Sequence, residues 1–345
     1  MKKLLLIGIG TFSLGLLLFI FFKSLNTKSF VALPLTTEKK DQITQENPLS
    51  INSMRKQTYP GSKITIEQTL DPGSNYNRYI TSYLSDGFKI YALLTVPEGK
   101  TPKNGWPVII FNHGYIPPAE YSTTERYVAY TDAFSRNGYI VFRPDYRGHG
   151  KSEGKPEGAY YSPAYTVDVL NAVSSIKKYK DANPQRIGMW GHSLGGSITL
   201  RTMVINKDIK AGVIWAGVVA SYEDLANNWH RSQPFIPSER ERATRRPSRL
   251  ALIEKYGDFK QNPGFWESIA PIYHVKDISG PLQLHHGTLD QEVPVLFSER
   301  LKDALQKAGK TVEFYTYDGD DHNLSQNLSL ALDRSVRFFD TYLKK

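Results

Sequence analysis

The chain has 345 residues, of which 40% are hydrophobic and 22% charged; it is long enough to bury one large core and ordinary in composition for a globular protein. Its 43 Lys and Arg exceed 34 Asp and Glu for a formal net charge of +9, but no nucleic-acid motif accompanies the excess, so no nucleic-acid partner is expected and the charge reads as general surface charge. The absence of cysteine excludes disulfides, thiolate metal sites and a lipid-modified N-terminal Cys.

In chain order, the first feature is an uncharged run from Leu4 to Phe22, preceded by Lys2-Lys3 and closed by Lys23. As a helix it would be about 28 Å long, close to the hydrocarbon thickness of a bilayer. Residues 1–23 therefore read as an uncleaved signal-anchor or a signal peptide, and Thr27-Lys28-Ser29 is a poor cleavage site. Either reading places the rest of the chain outside the cytoplasm, membrane-anchored or secreted. Residues 24–62 are polar, with scattered Pro, and read as a flexible spacer.

A folded domain is expected over 63–345. Ile64–Leu70, Arg78–Leu84 and Phe88–Val96 are strand-like, the last two joined by Ser85-Asp86-Gly87, a hairpin turn. Strands then alternate with helices. Val108–Phe111, Tyr139–Arg143, Ile187–Trp190, Ala211–Trp215, Leu282–Leu284 and Val312–Tyr317 are short apolar runs. Helical stretches fall near 125–137 and 165–178, from Ser193 onward, and near 325–342. Buried short strands separated by helices indicate a mostly parallel sheet covered on both faces. Residues 218–280 interrupt this rhythm at a length no simple connection needs, and are read as a cap before the next strand. Within them Arg231, Arg240, Arg242, Arg245, Arg246 and Arg249 face only Glu239 and Glu241. That reads as a solvated face, with attraction of anionic substrates or lipid headgroups as the alternative.

Gly191-His192-Ser193-Leu194-Gly195-Gly196 follows a strand and opens a helix, the context in which G-x-S-x-G raises a nucleophilic serine on a strained turn. Gly191 and Gly195 leave room for that turn. Where this motif is catalytic the chain order is Ser, acid, His. Among eight histidines only His322 follows the last predicted strand, which makes it the general base. Asp290, just past the strand ending at His286-Gly287, is the acid that orients it, with Glu292, two residues on and expected to point elsewhere, as competitor. Asp320 and Asp321 read as solvated loop residues, and a metal loop built from them and His322 lacks partner ligands at metal spacing. No metal and no cofactor is expected. The oxyanion hole needs two backbone donors: Leu194, after the nucleophile, and Tyr115 in Asn112-His113-Gly114-Tyr115. The His113 ring is the alternative donor, with packing as its simpler role. Asp145-Tyr146-Arg147-Gly148-His149-Gly150 lacks the following Lys-Ser/Thr of a phosphate loop and reads as a structural turn.

The order Phe111-Asn112-His113-Gly114, Asp145 to Gly150, Gly191 to Gly196, His286 to Asp290 with Val293-Pro294, and Asp321-His322 resembles that of α/β-hydrolases. It looks most like the catalytic domain of the prolyl oligopeptidase (S9) family and related bacterial esterases, over about Lys63 to the C-terminus. The resemblance implies an α/β-hydrolase fold and a serine hydrolase acting on a small-molecule ester or a short peptide. Ester cleavage through an acyl-enzyme is the leading expectation, on fold analogy. A small-peptide hydrolase and a catalytically silent surface-binding protein are the alternatives.

Overall fold

The computed structural model describes residues 47–156, 160–230 and 249–344. The signal-anchor expected at 1–23 lies outside them, as do the arginines from Arg231 to Arg246; Arg249 is described and exposed. Among the described residues no helix is long and apolar enough to cross a membrane.

Among these residues, nine strands form one sheet: β1 (Thr65–Leu70), β2 (Tyr76–Ser85), β3 (Phe88–Pro97), β4 (Trp106–Asn112), β5 (Ile140–Pro144), β6 (Ala182–His192), β7 (Ile209–Trp215), β8 (Leu282–Gly287) and β9 (Val312–Tyr317). Their spatial order is β1-β2-β3-β5-β4-β6-β7-β8-β9. The first three are antiparallel, and β3 meets β5 antiparallel. From β5 through β9 every pairing is parallel. The β2–β3 turn places Asp86 at φ 50° and Gly87 at φ 83°, the paired positive values that match the twist of a two-residue hairpin.

The parallel strands read as continuous apolar runs because both of their faces are covered. Ile110, Ile140, Phe142, Met189 and Ile214 point to one side, where they pack with Val169 and Val173 of α3 (Ala164–Ile176), Ile198 of α4 (Leu194–Ile205) and Phe297 of α7 (Val295–Lys307). Their neighbours Ile109, Phe111, Val141, Val213 and Trp215 point to the other, against Phe134 of α2 (Val128–Arg136) and Phe339 of α8 (Leu328–Leu343). This is the period-2 alternation of a strand with two buried faces. Each fully buried Ile or Phe contributes about 1.5–3 kcal/mol of transfer free energy.

Two expectations change. Residues 47–62 are not a flexible spacer. Ser50 caps α1 (Ile51–Lys56) by accepting from the Ser53 amide, and Ile51 and Met54 are buried in the main core. Arg55 Nε donates to the Val204 carbonyl and the Gly61 amide donates to Asn171 Oδ1. A short helix with a half-apolar face is hard to distinguish by pattern from a polar linker, and α4 completes its core. The folded body thus begins ahead of Lys63.

The segment expected as a cap divides. Three of its described parts, α5 (Tyr222–Asn227), helical residues 249–256 and α6 (Pro263–Ile269), build a small core of Tyr222, Leu252, Phe265, Trp266 and Ile269. Its C-terminal part, the 3-10 helix Pro271–Asp277, sends Val275 into the main core.

Candidate active site

The carboxyl ends of β4, β6, β8 and β9 bring the sequence-predicted residues to one place. At the end of β6 the chain turns through Ser193, with φ 55° and ψ −115°, directly into α4. Such a conformation costs a non-glycine residue on the order of 1–3 kcal/mol and persists only where the surroundings enforce it. Here the Ser193 amide donates to the Trp215 carbonyl at 2.9 Å, and the Ser193 carbonyl accepts from Gly196 and Val218. A side chain on Gly191 would strike Thr199 and the Gly195 backbone, and one on Gly195 would strike the Asn112 and His113 carbonyls. Both glycines are therefore required by close approach. Leu194 is fully buried in the first turn of α4, where backbone amides have no partner within the helix.

The β8 and β9 loops are joined by backbone. Thr288 and Leu289 amides donate to Tyr317 and Asp320 carbonyls, and Gly287 packs so tightly on residues 320–321 that a Cβ would collide with both carbonyls. This brings His322 Nδ1 to 2.7 Å from Asp290 Oδ2. The Asp290 side chain is 1% exposed. Its Oδ1 accepts the Glu292 and Val293 amides at 2.8 and 2.9 Å, and His286 Nε2 stands 3.1 Å from Oδ2. Burial by itself would raise this carboxyl, but hydrogen bonds from His286 and His322 outweigh it and hold the group well below the usual carboxylate range.

Ser193, His322, Tyr115, Gly114, Tyr127 and Glu292 line one cavity of about 470 Å³. A second, of about 560 Å³, lies between the β4–α2 and β5–α3 loops and is lined by Tyr121, Thr124, Gly150 and Lys151; neither Ser193 nor His322 borders it. Gly114 stands beside Ser193: a Cβ there would sit 3.3 Å from Ser193 Cβ. His113 does not line the cavity. It is fully buried, stacked between Tyr121 and Tyr146 at 4.6 and 4.2 Å, and burial pushes its imidazole well below the ordinary value.

Two residues depart from expectation. Glu292 does not point away: its Oε2 lies 3.9 Å from His322 Nε2, at the cavity mouth, and its side chain is 58% exposed. Asp320 is not solvated. It is fully buried and accepts four hydrogen bonds, from the Asp321, Gln326 and Asn327 amides and from Asn327 Nδ2, which shape the loop that carries His322. Asp321 is exposed, as expected.

Sequence reasoning also passed over Tyr127, His192 and His286. The Tyr127 hydroxyl lies 2.9 Å from the Gly114 amide and 2.8 Å from His192 Nδ1. His286 Nε2 lies 2.9 Å from the Val293 carbonyl, which only accepts, so Nε2 carries the hydrogen, shared with Asp290, and a neutral ring accepts from the Ser298 hydroxyl at Nδ1. His192 and His286 lie inside the motifs themselves; nothing in the spacing marks Tyr127.

The sequence profile that matches this chain is that of the prolyl oligopeptidase family, over residues 127–345. The chain belongs to the prolyl oligopeptidase family. As a member it is a serine hydrolase, acting as a peptidase or an esterase. An uncharacterized peptidase of Bacillus subtilis, YtmA, is 24% identical over 247 residues, covering 71% of this chain and 86% of its own. YfhR of Escherichia coli is 32% identical over 47% of each. Among solved structures, the acylaminoacyl peptidase of Pyrococcus horikoshii superposes with a TM-score of 0.62 at 22% identity, covering 79% of this chain and 43% of that one. An acetyl xylan esterase from Paenibacillus sp. R4 also superposes at 0.62, with 16% identity, 85% of this chain and 92% of its own. This chain thus spans under half the length of that peptidase and nearly all of that esterase. Both likenesses establish the α/β-hydrolase fold expected from the motifs.

Proposed function

We propose that the protein cleaves carboxylic esters through an acyl-enzyme, with Ser193 as nucleophile, His322 as general base and Asp290 as the acid that orients it. The observation that carries this reading is the 2.7 Å contact between His322 Nδ1 and Asp290 Oδ2 in a cavity that Ser193 lines. An ionised, buried Asp290 keeps the hydrogen on Nδ1, so Nε2 offers its lone pair to the serine. Ser193 Oγ adds to the ester carbonyl carbon while its proton passes to Nε2. The imidazolium returns that proton to the alkoxide, which leaves as an alcohol. Water then adds to the acyl-enzyme by the same route and releases the acid and Ser193. The oxyanion is assigned to the amides of Leu194 and Tyr115. Gly114, the neighbouring candidate, already directs its amide to Tyr127.

The esterase reading is supported by the acetyl xylan esterase, matched over 92% of its length. A short-peptide substrate is the second reading, favoured by the family and by the resemblance to YtmA. Turnover of p-nitrophenyl esters compared with aminoacyl p-nitroanilides decides between them. An anilide rate equal to or above the ester rate overturns the first reading, and failure of Ser193 to react with a fluorophosphonate overturns both. The substrate would be met outside the cytoplasm, at a membrane or secreted, if Leu4–Phe22 acts as the anchor or signal its composition suggests; fractionation of cells together with N-terminal sequencing tests this.

A further inference from the structure

The oxyanion loop after β4, the nucleophile turn after β6 and the base loop after β9 are three separate stretches of chain. Their relative placement must hold to within fractions of an ångström for transition-state contacts to form. One continuous chain of hydrogen bonds joins them. The Gly114 amide reaches the Tyr127 hydroxyl at 2.9 Å, that hydroxyl reaches His192 Nδ1 at 2.8 Å, and His192 Nε2 reaches the His322 carbonyl at 2.9 Å.

The polarity of this chain is determined throughout. A carbonyl only accepts, so His192 Nε2 carries the hydrogen and Nδ1 is the acceptor. Tyr127 therefore donates to Nδ1 and accepts from Gly114. Such an arrangement needs a neutral His192, and burial followed by the charge of neighbouring His322 pushes this imidazole down to about 3.

Tyr127 is held in place at a conformational cost. Arg126 and Tyr127 have φ of 52° and 53°, a region that L-residues rarely adopt. Buried Arg143 of β5 donates to the Arg126 carbonyl at 2.8 Å and to the Thr123 and Glu125 carbonyls, while the Tyr127 carbonyl accepts from Thr131 as α2 begins. The Tyr127 ring packs edge-on against Phe111 and Trp190.

We propose that Tyr127 and His192 are a positioning pair that sets the oxyanion loop and the base loop against the nucleophile turn, so that their loss weakens binding of the transition state rather than of the substrate. The inference rests on the esterase reading above. Its test uses the full chain with p-nitrophenyl acetate as substrate and benzeneboronic acid, which forms a tetrahedral anion on the serine, as inhibitor. Tyr127→Phe should lower kcat about 10- to 100-fold, below the 10²–10³ of a deleted oxyanion donor. KM should stay within about threefold, and Ki for the boronic acid should rise by the factor that kcat falls.

Should Tyr127→Phe fail to melt cooperatively, His192→Gln, which lacks the Nδ1 acceptor, carries the same expectation. In the double variant the loss should match the worse single, because the two act as one unit. Three results each overturn the pair: kcat and Ki within threefold of the parent in a folded variant, a loss confined to KM, or losses that multiply in the double variant. Fluorophosphonate labelling of the parent protein separates this failure from that of the esterase reading, since an unlabelled Ser193 sinks the reading itself.

Discussion

Asp290 and Asp145 each follow a strand of the same sheet, and both have buried carboxylates, yet their carboxyls are shifted in opposite directions. Asp290 faces two imidazole nitrogens and two amides, which hold it ionised against its burial. Asp145 accepts from the hydroxyls of Tyr121 at 2.9 Å and Thr123 at 2.5 Å. Burial pushes its carboxyl up to about 6, with those hydroxyls and Arg143 only partly opposing the rise. Burial alone thus does not assign a role to an aspartate. The number and kind of donors around it do: imidazoles able to take up positive charge in one loop, neutral hydroxyls in the other.

The comparison can be broken most directly at the partners of Asp290. Ser193→Ala and His322→Ala should each lower kcat by at least about 10⁴-fold in a folded protein, because nucleophile and base act as a unit. Residual turnover within a hundredfold of the parent in either variant would remove Ser193 or His322 from the reaction. Asp290→Asn should lower kcat about 10⁴-fold by favouring the wrong His322 tautomer, whereas Glu292→Gln, near Nε2 and exposed, should change it by less than about tenfold. The reverse ranking in steady-state assays would transfer the acid role to Glu292.

Asp320 sharpens the contrast through stability. Asp320→Ala strands the Asp321 and Gln326 amides, whereas the Asn327 amide keeps the Leu324 carbonyl, and should cost on the order of 2–4 kcal/mol in urea unfolding, at about 1–3 kcal/mol per unpaired buried group. A cost below about 1 kcal/mol would show that the base loop holds its shape without this carboxylate.

The smallest effect belongs to Asp145. Its folded-state value of about 6 lies above the ordinary carboxyl value of 3.8, so between those limits the folded protein binds more protons than the unfolded chain. Its contribution to stability therefore falls as pH rises from about 4 to about 6. Buried His192 and His285, both pushed down to about 3 chiefly by burial, have the opposite sign: their contribution grows as pH rises from about 3 toward 6.5. The informative quantity is thus a difference. Asp145→Asn should become more stable relative to the parent as pH is raised from 4 to 6, with kcat within about tenfold of the parent. A pH-independent difference in urea midpoints would mean that Asp145 is ionised throughout.

Much of this protein could be read from its residues because the signals are local. Period-2 apolar runs bounded by turns marked the strands, and the two glycines flanking Ser193 marked the elbow, since a strained turn admits no Cβ there. Chain order then picked His322 and Asp290 out of eight histidines and many acids. The short helix Ile51–Lys56 escaped because its apolar face makes sense only against α4. Asp320 was mistaken for a solvated residue because its four donors come from a loop that must first fold back on it.

The sequence by itself determined the sheet, the strained turn at Ser193 and which acid and histidine are candidates beside it, all set by steric and hydrophobic patterns that span a few residues. Only the tertiary structure decided which nitrogen of His322 meets which carboxylate, that Gly114 and His192 share the hydroxyl of Tyr127, and that the Asp145 carboxyl is pushed up while that of Asp290 is held down. Each of these depends on donors and acceptors brought within about 3 Å from distant parts of the chain, and a hydrogen bond weakens steeply outside that range and alignment.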